Sequence, residues 1–279
     1  MSRNQWKVTG EQSGISLLQF LKAQFKDTLS GRKIKQAIES NCCQINGRVE
    51  RHASVKLRPG CEITFNYEDV KTPKTAIEPP RIIFQDDQLF VYDKPAGITS
   101  DDEIFKDYKL VHRLDKSTTG VIVFAKTAKA EKWMINLFRS REVDKKYLAL
   151  VDGFPIEKSG LIENNIGKLD ERQWAVVKAP KGRVAITRWI CTEKGKTAAI
   201  MECYPKTGRT HQIRLHMKEI GHPILGDFNY VRSYSCEYLP KRCMLHAAKI
   251  SFMHPETGKK VAFKAPLPED FREAIERVI

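Results

Sequence analysis

Forty-eight Lys and Arg against 34 Asp and Glu give the 279-residue chain a formal charge of +14, and an apolar fraction of 41% supplies enough core to exclude global disorder. Seven cysteines without a C-x-x-C pair, histidines without an H-E-x-x-H, and the lack of any long uncharged apolar run argue against a disulfide framework, a metal site and a membrane span. What remains is a cytoplasmic chain of about two domains whose charge suits a nucleic-acid partner, with a merely solvated basic surface as the alternative.

The N-terminal MSRNQWKVTG has no apolar segment of the kind an export leader needs. ISLLQFLKAQFK then places Leu17, Leu18, Leu21 and Phe25 on one helical face, and after a Leu-Ser-Gly break RKIKQAIES does the same with Ile34, Ala37 and Ile38. CQINGRVE carries Asn46-Gly47, a dipeptide that tolerates the positive φ of a two-residue hairpin, and LRPGCEITF adds a Pro-Gly turn and a strand. From residue 14 to 67, nine Lys or Arg face four acids, and Arg32, Lys33 and Lys35 cluster where the second helix begins. Amide dipoles at that end also favour an anion; a solvated helix face is the alternative reading. In this order of elements the segment resembles an S4 RNA-binding domain, which implies that Arg32, Lys33 and Lys35 contact RNA. It departs from the common pattern at Gly60-Cys61, where such domains often have Gly-Asp.

DVKTPKTAIEPPR, with three prolines and no sustained period, reads as a linker. The expected organisation is therefore an N-terminal module over residues 1–68, a linker over 69–81 and a larger module over 82–279. In the larger module IIFQ, LFVYD, VIVFA, YLALV, AITRWICT and AAIMECY read as strands, and AKAEKWMINLFRSRE and THQIRLHMKEI as helices. Many short strands with few helices predict an α+β fold: a small ααββ-like domain, then a domain built on a mixed or antiparallel sheet. On THQIRLHMKEI, Thr210 is the expected N-cap and Gly221 the expected C′ residue. Ile213, Met217 and Ile220 would form its buried face, and His211, Arg214 and Lys218 a second, cationic one.

HRLDKSTTG (112–120) poses a separate question, because a lone acid follows an arginine in a basic chain. Asp115 can bond its own turn, with Gly120 supplying a positive φ. However, KPAG (94–97), HRLDKSTTG, KKYLALV (145–151), YPKTGRTHQIRLHMKEIGHPILGD (204–227) and LHAAKISFMHPETGKKVAFKAPLPEDF (245–271) together resemble the successive motifs of the RluA-type pseudouridine synthases. With the S4-like module, the resemblance spans nearly the whole chain.

That resemblance implies that Asp115 is the catalytic aspartate, with Arg214 beside it and Tyr147 stacked on the target base. A guanidinium close by lowers an aspartate pKa by about 1 to 3 units, and its fork can pair with both carboxylate oxygens of Asp115. Isomerising uridine exchanges the N1–C1′ bond for a C5–C1′ bond, so no atoms or electrons come from outside and no cofactor or metal is implied. Whether the carboxylate bonds to the nucleotide or assists loss of the C2′ proton stays open. A base inside a helix must be turned outward; Arg113 is the candidate to fill the gap, with a phosphate contact as its alternative role. Arg209, His211 and Lys218 are further expected RNA contacts. Thr119 stands where serine is common, and the acidic loop 98–110 is short. The expected activity is pseudouridine formation in structured RNA, foremost large-subunit ribosomal RNA, by a monomer. A non-catalytic RNA-binding or assembly factor is the second reading. A small-molecule glycosidase is the third, although that chemistry needs two carboxylates.

Overall fold

Ser16 starts the first helix: its hydroxyl accepts the Gln19 N–H at 3.2 Å while the Gln19 side chain accepts the Ser16 N–H at 3.0 Å. This reciprocal cap satisfies two donors that a helix end otherwise leaves open. The computed structural model describes residues 4–26, 28–39, 41–67, 76–170, 173–231 and 233–279, and the chain divides into two compact units, residues 1–73 and 74–279.

The first unit runs β1 (Asn4–Lys7), α1 (Leu17–Gln24), α2 (Gly31–Glu39), β2 (Cys43–Ile45), β3 (Arg48–Val49) and β4 (Glu62–Phe65), with sheet order β1-β4-β2-β3. Leu17, Phe20 and Leu21 of α1 meet Ile34, Ala37 and Ile38 of α2 over Ile63 and Phe65, and each fully buried large side chain contributes roughly 1.5–3 kcal/mol. The α2 face is the one the spacing predicts; on α1, Phe20 is buried while Leu18 and Phe25 are only half covered. The hairpin turn is as expected, with φ of 52° at Asn46 and 75° at Gly47. Strand β1 is absent from the sequence reading because NQWK offers one apolar side chain and lies at the sheet edge. Arg32, Lys33 and Lys35 all stand exposed on α2.

Residues 69–75 of the expected linker lie outside the described residues. Its remainder packs on the second unit: Pro79–Arg81 forms a 3-10 turn, and Arg81 Nη1 lies 2.9 Å from Asp93 Oδ2.

The second unit contains β5 (Ile82–Gln85), β6 (Leu89–Lys94), β7 (Lys109–Leu110), β8 (Thr119–Ala125), α3 (Ala128–Ser140), β9 (Asp144–Asp152), β10 (Ser159–Lys168), β11 (Trp174–Val177), β12 (Arg183–Lys194), β13 (Ala198–Pro205), α4 (Gln212–Glu219), β14 (Leu245–Met253), β15 (Lys260–Lys264) and α5 (Glu269–Val278). Among the described residues its strands form one 11-stranded sheet in the order β11-β10-β12-β13-β9-β14-β8-β6-β5, with β15 on β14 and β7 on β8. The β8–β14 pair is parallel and the rest are antiparallel. The sheet is thus mixed, as expected for the α+β class.

The parallel pair places His246 opposite Thr119 and Ala247 opposite Gly120. Gly120 holds φ at +112°, and a Cβ there would fall 2.3 Å from the Ala247 carbonyl oxygen, so only glycine permits this approach. Two apolar cores flank the junction, and Tyr147 of β9 packs against both. Among the described residues no helix is long and apolar enough to cross a membrane, and all seven cysteines are free.

Candidate active site

Asp115 lies just before β8 on a loop whose backbone is held from several directions. Buried Ser100 donates its hydroxyl to the Leu114 carbonyl at 2.9 Å and accepts the Leu114 N–H at 2.8 Å. Lys94, also fully buried, donates from Nζ to the carbonyls of Pro95 and Ile98 at 3.0 Å and of Lys116 at 3.4 Å. Gly97 N–H reaches the same Lys116 oxygen at 2.8 Å. The KPAG segment is thus a cradle for the aspartate loop. Arg242 adds a bond from Nη1 to the Ser117 carbonyl at 3.4 Å while its other guanidinium nitrogens grip Asp270 of α5 at 2.7 and 2.8 Å. His112 Nε2 accepts the Val123 N–H at 2.9 Å.

The Asp115 side chain turns away from its own turn and towards α4. Arg214 Nη1 donates to Asp115 Oδ2 at 3.1 Å, and His211 Nε2 lies 3.8 Å from Oδ1. The sequence places a bidentate fork on Asp115, but the fork belongs to Asp227. Arg214 Nε and Nη2 donate to Asp227 Oδ2 and Oδ1 at 2.8 and 2.6 Å, leaving one nitrogen for Asp115. Arg214 and Asp227 are 3% and 2% exposed, and a guanidinium this deep needs such a partner. Burial opposes its charge, yet the bonds to Asp227 and that carboxylate's charge outweigh burial and raise the Arg214 pKa well above its ordinary value.

Helix α4 also departs from its expected form. His211, not Thr210, occupies the N-cap, in a left-handed conformation with φ 56° and no side-chain cap bond, because its ring is drawn between Asp115 and the Tyr230 hydroxyl. The cationic stripe of His211, Arg214 and Lys218 does not exist as a surface. Arg214 is buried, only Lys218 is exposed, and burial together with the Arg214 charge lowers the His211 pKa from its ordinary value. Gly221 does terminate the helix, with φ +83°. Tyr230 completes the wall, its ring centroid 5.0 Å from the Arg214 guanidinium carbon.

Tyr147 lies on β9 opposite Ala247 and Cys203. Burial, and then the negative charge of Asp115, push its phenol well above the ordinary value, so it stands as a neutral ring. Arg113 is 71% exposed at the side chain and its Nη2 is 4.0 Å from Asp101 Oδ2. Arg209 donates from Nε to the Val184 carbonyl at 3.0 Å. The structure therefore brings Asp115, Arg214 and His211 together with Asp227 and Tyr230. Arg32, Lys33 and Lys35 belong to the other unit and are described only within it. Asp227 stood inside the quoted GHPILGD segment, but nothing in its spacing marked it as the partner of Arg214.

Comparison with known proteins carries the interpretation further. The RNA pseudouridylate synthase family model matches residues 88–219 and the S4 domain model residues 8–72. Ribosomal large subunit pseudouridine synthase D of Zymomonas mobilis is 31% identical, over 98% of this chain and 96% of its own length. The uncharacterized RNA pseudouridine synthase YlyB of Bacillus subtilis is 29% identical, over 99% and 98% respectively. In fold, the solved structure of human RNA pseudouridylate synthase domain containing 4 superposes with a TM-score of 0.60 at 24% identity, covering 72% of this chain and 94% of that one. With relatives aligned from end to end and the two modules matched in the order the sequence predicts, this chain belongs to the RluA-type RNA pseudouridine synthases that carry an N-terminal S4 domain.

Proposed function

We propose that this pseudouridine synthase isomerises uridine in structured RNA, namely large-subunit ribosomal RNA, with Asp115 as its single catalytic carboxylate and the target nucleotide turned out of its helix. The observation that carries the reading is the 3.1 Å bond from Arg214 to Asp115 on a loop fixed by Lys94, Ser100 and Arg242. The Asp115 side chain is held mostly by protein but keeps 25% of its surface open, as a group that must meet a substrate requires. Relatives aligned over nearly the full length are named ribosomal large subunit pseudouridine synthase D, which supports the choice of RNA.

In this reading Asp115 assists cleavage of N1–C1′, the freed uracil reorients, C5 bonds to C1′, and the C5 proton leaves to solvent while N1 takes one up. Tyr147 stacks on the uracil as a neutral ring; its raised pKa disfavours a phenolate base. Turning the nucleotide out costs a few kcal/mol of stacking, and Arg113, exposed on the Asp115 loop, fills the space it leaves. Arg32, Lys33 and Lys35 of the S4 unit contact RNA phosphates, with Lys218 beside the catalytic unit's own contacts. His211, facing Asp115, contacts the bound nucleotide rather than a phosphate. The enzyme acts as a monomer in the cytoplasm, consistent with seven free thiols.

Asp115→Asn tests this. The variant should bind a ribosomal RNA fragment with the salt dependence of wild type and release no tritium from C5-labelled uridine. Equal turnover by the two proteins rejects Asp115 as the catalytic group. Mapping pseudouridines in large-subunit RNA made with and without this protein tests the substrate, and an unchanged map rejects it.

A further inference from the structure

Five cations lie near one another around the loop that leads into α4. Lys145, the second residue of β9, donates from Nζ to the Thr207 carbonyl at 3.2 Å. Thr207 lies in the loop Lys206-Thr207-Gly208-Arg209 that joins β13 to α4, and Arg209 reaches the Val184 carbonyl, next to Arg183. Gln212 locks this loop in place. Its Oε1 accepts the Thr207 hydroxyl at 2.7 Å and the Arg209 N–H at 3.0 Å, while its Nε2 donates to Ile186 O at 3.0 Å. Among the described residues neither Lys145, Lys206, Arg183, Arg209 nor Arg141 at the end of α3 forms an ion pair. Arg141, Arg183 and Lys206 are exposed.

The group is close-set as well as unbalanced. Burial, and then the Arg209 and Lys206 charges, bring the Lys145 pKa down to about 8; burial, Arg183 and Arg141 lower that of Arg209. A protein that gathers like charges around a fixed loop loses stability through their repulsion unless an anion relieves it. The cluster also borders the catalytic loop from two sides. The Lys145 charge acts on His112, at the start of HRLD, and Arg209 stands two residues before His211, which faces Asp115.

We propose that Lys145, Arg209, Arg183, Lys206 and Arg141 form a phosphate-binding site that holds the RNA backbone immediately flanking the target nucleotide. Lys145 and Arg209, pinned by backbone carbonyls, fix the position of the first phosphate, and the three exposed cations follow the strand away from the site. The inference rests on RNA being the substrate, and it assigns to this rim the register of the strand relative to Asp115.

The test measures binding of an RNA hairpin of arbitrary sequence across a range of KCl concentrations, alongside kcat and KM on a ribosomal RNA fragment. Lys145→Met with Arg209→Gln should reduce the slope of log K against log salt by roughly two, about one per cation. Each change alone should weaken binding about tenfold, raising KM while leaving kcat within a few fold. Lys145→Arg should restore binding. Lys196→Met, in the hairpin turn at the opposite end of β12 and β13 and roughly 30 Å away, should match wild type. Arg183→Gln with Lys206→Gln, on exposed side chains with no part in the fold, should lower the slope to the same extent and covers the case in which the Lys145 variant misfolds. A wild-type slope in both double variants overturns the phosphate site, as does a fall in kcat at unchanged KM. If wild type binds the hairpin and the variants do not, yet no pseudouridine forms in ribosomal RNA, the proposed function fails and this site stands.

Discussion

Asp227 decides what Arg214 can do. Two of the guanidinium's nitrogens are committed to it in a nearly dry setting, and the third is thereby aimed at Asp115. Replacing Asp227 with alanine leaves a buried cation with one half-exposed partner and should cost about 3–5 kcal/mol, read as a lower denaturant midpoint. Asp227→Asn keeps the shape and one acceptor. Its fold should survive while kcat falls by about 100-fold, the scale of a misplaced catalytic contact. A variant with wild-type kcat would remove Asp227 from the positioning of Arg214. At this scale the meeting of Arg214 with Asp115 is readable in the sequence, because each sits in a motif with its own residue pattern. The part of Asp227 is not, because its pairing depends on the return of the chain through Gly226. There φ is +76° and an added Cβ would meet the Arg242 carbonyl oxygen at 2.0 Å, a closeness set by tertiary packing rather than by local pattern. His211 fails for a related reason: helical spacing puts it on a cationic face, but the left-handed N-cap rotates it into the site.

Among elements, the parallel contact between β8 and β14 sets the aspartate loop against the rest of the sheet. Gly120 makes it possible, and Thr119 secures it by donating its hydroxyl to His246 Nδ1 at 2.9 Å across a separation of 127 residues. Gly120→Ala combines a disfavoured φ with a clash against backbone that cannot yield, so a loss of about 3 kcal/mol or more is expected, with activity falling in parallel as the Asp115 loop shifts. An unchanged thermal midpoint would show that the two strands can separate at no cost. Helices α1, α2 and α3 and the Asn46-Gly47 hairpin are legible because their signals are local: period, cap and turn residues. The pairing of β8 with β14 is not, since neither strand's pattern names its partner. Strands β10, β11, β14 and β15 and the two-residue β7 have no counterpart in the sequence reading; in β10, GLIENNIGK mixes exposed and buried positions and so breaks the alternation. Helix α5 has a local signal of the same kind: Phe271, Ala274 and Val278 recur at helical spacing and are all buried.

The whole molecule combines a basic sequence with histidines that are kept neutral inside, and the second property follows from their burial. His246 Nδ1 accepts from Thr119 and its Nε2 faces the Ala265 carbonyl at 3.4 Å; His216 Nδ1 accepts from Thr187 at 2.8 Å and its Nε2 donates to Asn164 Oδ1 at 3.0 Å. Both rings are fully buried, and a charged imidazolium there would lose its hydration. Burial pushes both pKa values down to about 4, and that of His112, which accepts the Val123 N–H, to about 3. Composition counts seven histidines but says nothing of which are dry, so this behaviour is invisible until the cores are assembled. In the unfolded chain these rings titrate near 6.5, so between that pH and their folded values the unfolded state binds more protons. Their stabilising effect is therefore complete above about pH 6.5 and is lost as pH falls towards 4, at about 1.4 kcal/mol per group per pH unit. At pH 5 His216 and His246 alone should remove about 4 kcal/mol of stability, a large share of the total a domain of this kind holds. The carboxylates of Asp86 and Glu202, held below their ordinary values by hydrogen bonds and neighbouring cations that outweigh burial, add to the loss only at lower pH. Urea midpoints measured from pH 7 to pH 5 should fall steeply, and His216→Gln with His246→Gln should flatten that fall even if it lowers the midpoint at pH 7. A wild-type midpoint that stays level over the same range would mean that the buried rings accept protons in the folded state as readily as in the unfolded one.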